Sequence, residues 1–337
     1  MPCYSPLNAH QSKHKKPNGK TYLSFGKKGH SRKKWTPIKV PCGQCIGCRL
    51  ERSRQWAVRC VHETKLHEKN CFITLTFNQE HLDKNKSLVK RDFQLFMKRL
   101  RKKFVPPNPF DKETQEDEWK EFHEKHRISY FHCGEYGSQK QRPHHHAILF
   151  NIDFDDKLLW KEHNNEKYYT SETLSSLWTN PKTKASLGHC CIGEANFETA
   201  AYVARYITKK ITGEAATTYY NELDYQTGEI LIERIPEYTT MSRNPAIGKR
   251  WYEKFNGDWY YEDKLIMRGQ EMKPPKYYDK QYEIAHPEEM EQIKEKRKEH
   301  AKKSKEHTTE ERLAVRNRNK LRQTSNLKRG YEDQTQI

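Results

Sequence analysis

Residues 142–150 read RPHHHAILF, a turn signal followed by three histidines and an apolar run that is typical of a strand. Side chains alternate between the two faces of a strand, so His144 and His146 project to one side and His145 to the other. Two imidazoles on one rigid strand can bind a divalent cation with little ordering cost. The stretch therefore predicts a strand that carries part of a metal site.

The third ligand of this metal site is expected from the preceding strand. Residues 128–136 read ISYFHCGEY, and the turn residues that follow indicate a hairpin. Folding the chain near residue 140 brings Glu135 within cross-strand reach of the two histidines. This mixture of oxygen and imidazole ligands predicts Mg²⁺ or Mn²⁺, with Mn²⁺ favoured by imidazole. An accidental run of histidines on a surface strand is the alternative interpretation.

A helix expected over about 197–211 carries Tyr202 and Tyr206, which are four residues apart and therefore share a face. A phenol with a pKa near 10 needs a nearby cation to react as the phenolate. That cation is the metal or one of the neighbouring basic residues, which are Arg205, Lys209 and Lys210. Tyrosine attack on a phosphodiester forms a phosphotyrosine bond that allows later rejoining. Aromatic residues packed in the core are the alternative interpretation.

Residues 41–49 read PCGQCIGCR, a Cys-x2-Cys-x2-Cys run whose glycines permit the tight turns that gather thiolates. The pattern predicts a structural zinc site formed by Cys42, Cys45, Cys48 and a fourth ligand. The candidates for the fourth ligand are Cys3, Cys60 and His62, of which we include Cys3 in the expected site. An iron–sulfur cluster and three free buried cysteines are the alternatives that the spacing leaves open.

Charge and composition indicate a nucleic-acid partner. The 337 residues carry a net charge of +18, and residues 1–60 contain 14 Lys or Arg against a single acid, Glu51. Tyr22, Phe25 and Trp35 are interleaved with these charges, as in grooves that bind nucleic acid. A merely solubilising basic arm is the alternative interpretation.

Two further features of the composition bear on location. No apolar stretch is long enough to span a membrane, and the N-terminus lacks an apolar signal region. The nine cysteines, in a chain without an export signal, indicate reduced thiols or metal ligands rather than disulfides. We therefore expect no membrane association and a cytoplasmic location.

Predicted strands and helices alternate without regular βαβ periodicity, which favours an α+β fold with a largely antiparallel central sheet and flanking helices. Residues 71–77 (CFITLTF) are expected to form a strand with Thr74 and Thr76 on one face, and residues 87–104 a helix with an apolar stripe.

The expected domains are a basic arm with the cysteine cluster (1–65), a main domain (66–285) and a charged tail that is helical or disordered (286–337).

Together, these segments resemble the replication initiation proteins of the Microviridae, the small single-stranded DNA phages, and most closely their gokushovirus branch within the HUH endonuclease superfamily. The matching segments extend through most of 1–285 and are 1–4 (MPCY), 41–49, 72–76 (FITLT), 134–137 (GEYG), 142–150, 202–210 (YVARYITKK) and 236–243 (PEYTTMSR). Two residues depart from the family pattern. His145 replaces a bulky hydrophobe between the histidines, and Arg205 stands where Lys is frequent between the tyrosines.

The resemblance implies a central antiparallel sheet that bears the histidine pair and an adjacent helix that bears the nucleophile, with Glu135, His144 and His146 as metal ligands. It implies rolling-circle initiation on phage origin DNA, either single-stranded or as the supercoiled replicative form. One tyrosine would nick the viral strand, keep its 5′ phosphate and leave a 3′ hydroxyl for the host polymerase. The second tyrosine would cut the regenerated junction, so that the free 3′ end closes a circle.

The remaining expectations concern DNA, host proteins and location. We expect DNA contacts from four arginines and lysines, which are Arg142, Arg205, Lys210 and Arg243. The sequence contains no Gly-x4-Gly-Lys-Ser/Thr loop, so a host helicase is expected to unwind the duplex. The resemblance places this activity in the host bacterial cytoplasm.

Three other functional classes remain open. A non-catalytic zinc-containing DNA-binding protein, such as a repressor, would explain the charge and the cysteines but would leave the histidine pair and Tyr202 unused. A transposase or relaxase of the same superfamily often uses one tyrosine, whereas two tyrosines one helical turn apart favour a replication initiator. A structural virion protein that binds packaged DNA is the third alternative.

Overall fold

The computed structural model divides the chain into two compact units, one formed by 1–52 with 288–328 and the other by 53–287. The residues that the structure describes are 3–15, 21–26, 34–83, 85–137, 140–163, 166–205, 214–224, 226–258, 260, 262–303 and 305–325. Tyr206, Lys209 and Lys210 lie outside these ranges, and their expected roles stay predictions.

The described residues form strands and helices in both units. The strands are β1 (Leu7–Lys15), β2 (Thr21–Ser24), β3 (Trp35–Val40), β4 (Asn70–Thr76), β5 (Ser129–Tyr136), β6 (Pro143–Phe150), β7 (Leu158–His163), β8 (Glu166–Thr170), β9 (Cys190–Gly193), β10 (Asn221–Leu223), β11 (Ile230–Glu233), β12 (Tyr238–Met241), β13 (Leu265–Met267) and β14 (Gln270–Met272). The α-helices are α1 (Ile46–Thr64), α2 (Lys90–Phe104), α3 (Glu116–His126), α4 (Glu172–Leu177), α5 (Phe197–Arg205), α6 (Glu214–Tyr220), α7 (Lys249–Phe255), α8 (Lys276–Ala285), α9 (Pro287–Lys303) and α10 (Glu310–Ser325).

A seven-stranded antiparallel sheet in the order β12-β5-β6-β4-β9-β8-β7 forms the centre of the unit of residues 53–287. The predicted hairpin is present as β5 and β6, with Glu135 directly opposite His144 and Cys133 opposite His146. On the other side of β6, Thr74 of β4 lies opposite His146. The α+β fold with an antiparallel sheet and flanking helices is therefore confirmed.

Alternation along β4 separates two hydrophobic cores. One face carries Ile73, Leu75 and Phe77, which pack with the buried side chains of α2 and α4. The opposite face carries Phe72, which packs with apolar residues of α1 and α5. The predicted stripe of α2 is confirmed in the buried residues Phe93, Phe96, Met97 and Leu100. Because both faces are covered, the strands β5 and β6 are buried along almost their full length.

The N-terminal segment, which we expected to be arm-like, forms an antiparallel sheet in the order β2-β1-β3 instead. Its longest ladder runs from Leu7 opposite Val40 to Ser12 opposite Trp35. Ala9 and Ser12 are buried although the segment has few large apolar side chains. Pairing between the strands satisfies the backbone N–H and C=O groups of this basic segment. Because the segment shows little hydrophobic periodicity, its local sequence does not indicate that pairing.

The charged tail was expected to be either helical or disordered, and its described residues form the helices α9 and α10. These helices bury Met290, Ile293 and Leu313, whereas Val315 and Leu321 of α10 stay exposed. Among the described residues, no helix combines the length and the apolar character that a membrane crossing demands.

Gly188, which has a φ of +156°, approaches the end of β4 so closely that a Cβ atom there would lie 2.4 Å from the carbonyl oxygen of Thr76. We predict that Gly188→Ala lowers the free energy of unfolding by at least about 2 kcal/mol, measured by urea denaturation. Gly228→Ala is the control because Gly228 has a φ of +74° but no atom within 4 Å of the added Cβ. Gly228→Ala should lower the free energy of unfolding by only about 1 kcal/mol. Equal losses for the two variants would contradict the steric argument.

Candidate active site

Three buried side chains converge on one face of the sheet, as the hairpin predicted. Nε2 of His144 lies 2.5 Å from Oε1 of Glu135, and Nε2 of His146 lies 3.0 Å from the same oxygen. All three side chains are at most 2% exposed. The register explains this convergence, because Glu135 faces His144 across the ladder and His146 is two residues farther along the same face.

Hydrogen bonds at the other ring nitrogens hold both imidazoles in position. Nδ1 of His144 lies 3.1 Å from the carbonyl oxygen of Arg142, an acceptor to which it must donate. Nδ1 of His146 lies 2.9 Å from Oγ1 of Thr74. A ring that carries its proton on Nδ1 would offer the lone pair of Nε2 to a cation, in place of the hydrogen bond to Glu135. Such bonds to the distal nitrogen are typical of histidines that bind a metal.

These donors fit a small divalent cation. The two Nε2 atoms and a Glu135 oxygen lie within 4.8 Å of one another. Ligands at right angles around a cation with bonds of roughly 2.1 Å are about 3 Å apart, which is close to the spacings seen here. Two neutral imidazoles and one carboxylate also leave coordination positions for substrate oxygen. The set is therefore compatible with a bound metal, as the sequence predicted.

The charge on Glu135 is stabilised by its neighbours. Complete burial by itself would raise the pKa of this carboxyl group, but the charges and hydrogen bonds of His144 and His146 lower it to about 2. Glu135 is therefore an anion at neutral pH in a site that excludes water. A buried anion of this kind requires a compensating positive charge, which a divalent cation supplies.

His145 faces the opposite side of the sheet and takes no part in the cluster. Its Nδ1 lies 3.1 Å from Nε2 of His132, and its ring contacts Phe77, Phe93 and Trp178. Burial, together with His144 and His146, lowers its pKa to about 3, so the ring is neutral. The unusual residue between the two histidines thus packs in the core and lies outside the candidate metal site.

Tyr202 of α5 points its hydroxyl at the cluster. The oxygen lies 3.5 Å from Nε2 of His146, and the ring meets the His146 ring edge to face at a centroid distance of 5.1 Å. The Tyr202 ring also packs edge to face on Phe72, and the side chain is 3% exposed. Helix α5 is held on the sheet by Ala200, Val203 and Ala204, which pack in the same hydrophobic core as Tyr202.

The basic residues expected to bind DNA lie in different places. Arg142 precedes β6, and its guanidinium donates to the carbonyl oxygen of Phe77 at 2.8 Å and to Gln79 at 3.2 Å. Arg205 is the last residue of α5 and is partly exposed. Arg243 is exposed and follows Met241, which pairs with Phe131. Because that end of β5 is four residues or more from Glu135, at about 3.4 Å per residue, Arg243 lies well away from the cluster.

A second cluster lies in the unit of residues 1–52 with 288–328, where Cys3, Cys42, Cys45 and Cys48 bring their sulfur atoms together. The Sγ atom of Cys3 is 3.7 Å from that of Cys42 and 3.9 Å from that of Cys45. Of the three candidates for the fourth position, the structure gathers only Cys3. Cys60 is buried in the hydrophobic core beside the sheet, and His62 bonds Tyr278.

Backbone groups of this cysteine cluster favour the thiolate form of Cys45, whereas burial raises the pKa of Cys3 and of Cys48. The N–H of Tyr4 donates to Sγ of Cys45 at 3.2 Å, and the N–H of Cys42 donates to Sγ of Cys3 at 3.3 Å. Burial would raise the pKa of Cys45, but hydrogen bonds from the backbone and from neighbouring thiols lower it to about 6. Four sulfurs with N–H donors around them fit a tetrahedral metal such as Zn²⁺.

Thr74 is the residue of the histidine cluster that the sequence did not assign a role. The alternation of β4 correctly placed Thr74 and Thr76 on one face. However, the bond from Thr74 to His146 depends on the pairing of β4 with β6, strands more than sixty residues apart in the chain. Only the knowledge that these strands are neighbours could have identified this contact.

Comparison with known proteins places this arrangement in a family. The family model described as replication-associated protein ORF2/G2P matches residues 70–211, which include the hairpin and α5. The replication-associated protein VP4 of Bdellovibrio phage phiMH2K is 34% identical over 250 residues, which cover 74% of this chain and 69% of the relative. The replication-associated protein ORF2 of Spiroplasma virus 4 is 32% identical over 321 residues, with 90% and 88% covered.

A third relative, the replication-associated protein ORF4 of Chlamydia phage 1, is 30% identical over 196 residues, which cover 56% of this chain and 43% of the relative. No solved structure matches the chain. The two longer alignments extend over most of both proteins, beyond the residues of the metal and tyrosine motifs. The chain therefore belongs to the Microviridae-type family of replication-associated proteins.

Proposed function

We propose that the chain initiates rolling-circle replication by nicking and rejoining single-stranded DNA at a phage origin, with Tyr202 as the first nucleophile. The observation that carries the proposal is the position of the Tyr202 hydroxyl, 3.5 Å from the same His146 nitrogen that faces Glu135. A phenol buried against candidate metal ligands is placed for chemistry, because an aromatic residue that serves only packing has no need of its hydroxyl there.

The reaction is a transesterification. The Tyr202 oxygen forms a bond to phosphorus, the bond from phosphorus to the 3′ oxygen breaks, and the phenol proton is lost while the 3′ oxygen gains one. A divalent cation, Mg²⁺ or Mn²⁺, held by Glu135, His144 and His146, would polarise the phosphodiester and stabilise the charge of the transition state. The protein itself orients the nucleophile and excludes water, so that the phosphotyrosine bond survives for rejoining.

Tyr206 follows Tyr202 by four residues in the sequence, and we assign it the second cleavage, at the regenerated junction. Arg205, Lys209 and Lys210 are proposed to neutralise phosphates of the strand and to favour the phenolate, and Arg142 to bind a phosphate beside His144. Arg243, which lies far from the cluster, would contact DNA at a distance from the cleaved bond.

We assign the four cysteines to a structural zinc ion. The sulfurs have no acidic neighbour in the set and leave no position for a reacting water when all four are bound. The zinc ion would supply stability to the unit of residues 1–52 with 288–328, which has few buried apolar side chains. The basic sheet of this unit would supply salt-dependent DNA affinity.

We predict that Tyr202→Phe loses at least about 10³-fold in the rate of nicking, because the ring stays but the nucleophile is removed. Tyr206→Phe should still nick and form the covalent adduct but should fail to release circles. The measurement is a denaturing gel of origin single-stranded DNA incubated with Mn²⁺ and each variant, scored for protein joined to the 5′ end. Nicking by Tyr202→Phe at the rate of the unaltered protein would refute the assignment.

We predict that Thr74→Val weakens Mn²⁺ binding by about 10- to 100-fold, because His146 loses the bond that orients its ring. Isothermal titration calorimetry measures this affinity without DNA. Thr76→Val is the matched control, since Thr76 lies on the same face of β4 but its hydroxyl donates to the carbonyl oxygen of His189. Equal affinities of the two variants for Mn²⁺ would mean that Thr74 does not position a metal ligand.

Native mass spectrometry should find one zinc ion per chain, absent from Cys3→Ser and retained by Cys60→Ala. The expectation follows from the four sulfurs gathered around Cys3 and from the burial of Cys60 in the hydrophobic core. Loss of zinc from both variants would point to a shared folding defect, which the thermal unfolding curves of the two variants would reveal. Zinc bound by Cys3→Ser would contradict the assignment of the fourth ligand.

A further inference from the structure

A cavity opens beside the candidate metal ligands, on the side of His144 away from Glu135. Its volume is about 270 Å³, and it shares Thr74 and His144 with the active site. That volume is slightly below the range of roughly 300–1,000 Å³ for pockets that hold drug-sized ligands. The cavity therefore suits a single planar ring system better than a larger molecule.

The lining of the cavity is mainly apolar with a few polar groups at its edge. Phe77, Pro143, Cys190 and Cys191 form apolar parts of the wall, while Thr76 and His189 add polar atoms. This composition is typical of pockets that bury a flat ring and hydrogen-bond its rim. None of these side chains belongs to the set that would hold the metal.

Trp160 closes the cavity from β7, and the strand is irregular at this residue. The pairing of β7 with β8 shifts register between Leu159 and Lys161, so Trp160 is the extra residue of a β-bulge. Bulges are frequent next to active sites, where they redirect a side chain. The indole is 40% exposed although it lines a cavity, so one part of the ring remains accessible to a ligand.

Two cations, Lys161 and Arg142, lie at this opening. Nζ of Lys161 lies 4.3 Å from the centroid of the Trp160 ring. Arg142, which also lines the cavity, is held by its bonds to Phe77 and Gln79 and keeps further N–H donors for an anion. A stacking ring flanked by fixed cations matches a nucleotide, whose base is flat and whose phosphates are anionic.

We infer that this cavity, which we call the base pocket, receives one unstacked base of single-stranded DNA next to the phosphate that is cleaved, with Trp160 as the stacking platform. The inference rests on the proposed function, because the shared residue His144 fixes the phosphate within one nucleotide of the pocket. The occupant is a base of the substrate strand rather than a free small molecule, since a strand laid over the metal ligands passes this opening. Insertion of the base fixes the register of the strand and so selects which phosphate reaches Tyr202.

The test is an abasic scan. Single-stranded oligonucleotides from the phage origin carry one abasic site at each position in turn. Fluorescence anisotropy gives the Kd of each oligonucleotide for a background protein with Tyr202→Phe and Tyr206→Phe, which removes both tyrosine nucleophiles, and EDTA is left out so that the structural zinc stays bound. In the background protein, one abasic position should weaken binding about 10- to 100-fold, the usual effect of losing one stacked base. When Trp160→Ala is added to the background protein, binding of the intact strand should weaken by the same factor. An abasic site at the sensitive position should then have no further effect on the Kd.

Two further variants test whether the aromatic ring of Trp160 is responsible for the effect. Trp160→Phe keeps an aromatic platform and should retain most of the affinity and the sensitivity to that abasic position. Leu159→Ala removes a neighbouring side chain that is more exposed than Trp160 and pairs with Tyr169, and it should leave the scan unchanged. Thermal unfolding of all variants controls for folding. An abasic profile that is the same with and without Trp160 overturns the base pocket.

The outcomes separate the two proposals. A covalent adduct in the unaltered protein combined with an unchanged profile in Trp160→Ala would keep the nicking function and reject the base pocket. The absence of an adduct combined with coupling between Trp160 and one base would keep the pocket as a single-strand binding site and reject the nicking function.

Discussion

The register of the ladder β5-β6-β4 is the constraint on which the site depends. Glu135, His144 and Thr74 meet because their strands pair with one particular alignment. Side chains alternate with a period of two, so a slip of one residue would turn both metal-facing histidines into the core and expose His145. The hydrophobic side chains on both faces oppose such a slip, and packing therefore sets the geometry of the chemistry.

Burial determines what the site can do once the register is set. A carboxylate buried without solvent is costly unless a positive charge compensates it, so the cluster is compatible with a bound cation. In the proposed function, the same exclusion of water would protect a phosphotyrosine bond from hydrolysis. On the opposite face, the pair of His132 and His145 is kept neutral by burial and serves packing. One triplet of histidines thus contains two chemical environments, separated by a single sheet.

The part of the site that the sequence predicted is local. Alternation over residues 144–146 identified the metal-facing histidines, the turn length placed Glu135 opposite them, and helical spacing put Tyr202 on one face of α5. The unpredicted part depends on pairing between distant strands. The contact of Thr74 with His146, the β-sheet of the N-terminal segment and the bulge at Trp160 all come from neighbours that no local pattern specifies. Long-range strand pairing is set by the whole fold, so a single sequence read in windows does not contain it.

Strand β6 lies next to both proposed functional features, the Tyr202 nucleophile and the base pocket. His144 and His146 are separated by about 7 Å along β6. The Tyr202 hydroxyl lies beside His146, whereas the base pocket lies beside His144. A phosphate bound between the two histidines would therefore have the nucleophile at one end and an anchored base at the other. On this view, the His-x-His motif serves both metal binding and alignment of the strand with the tyrosine.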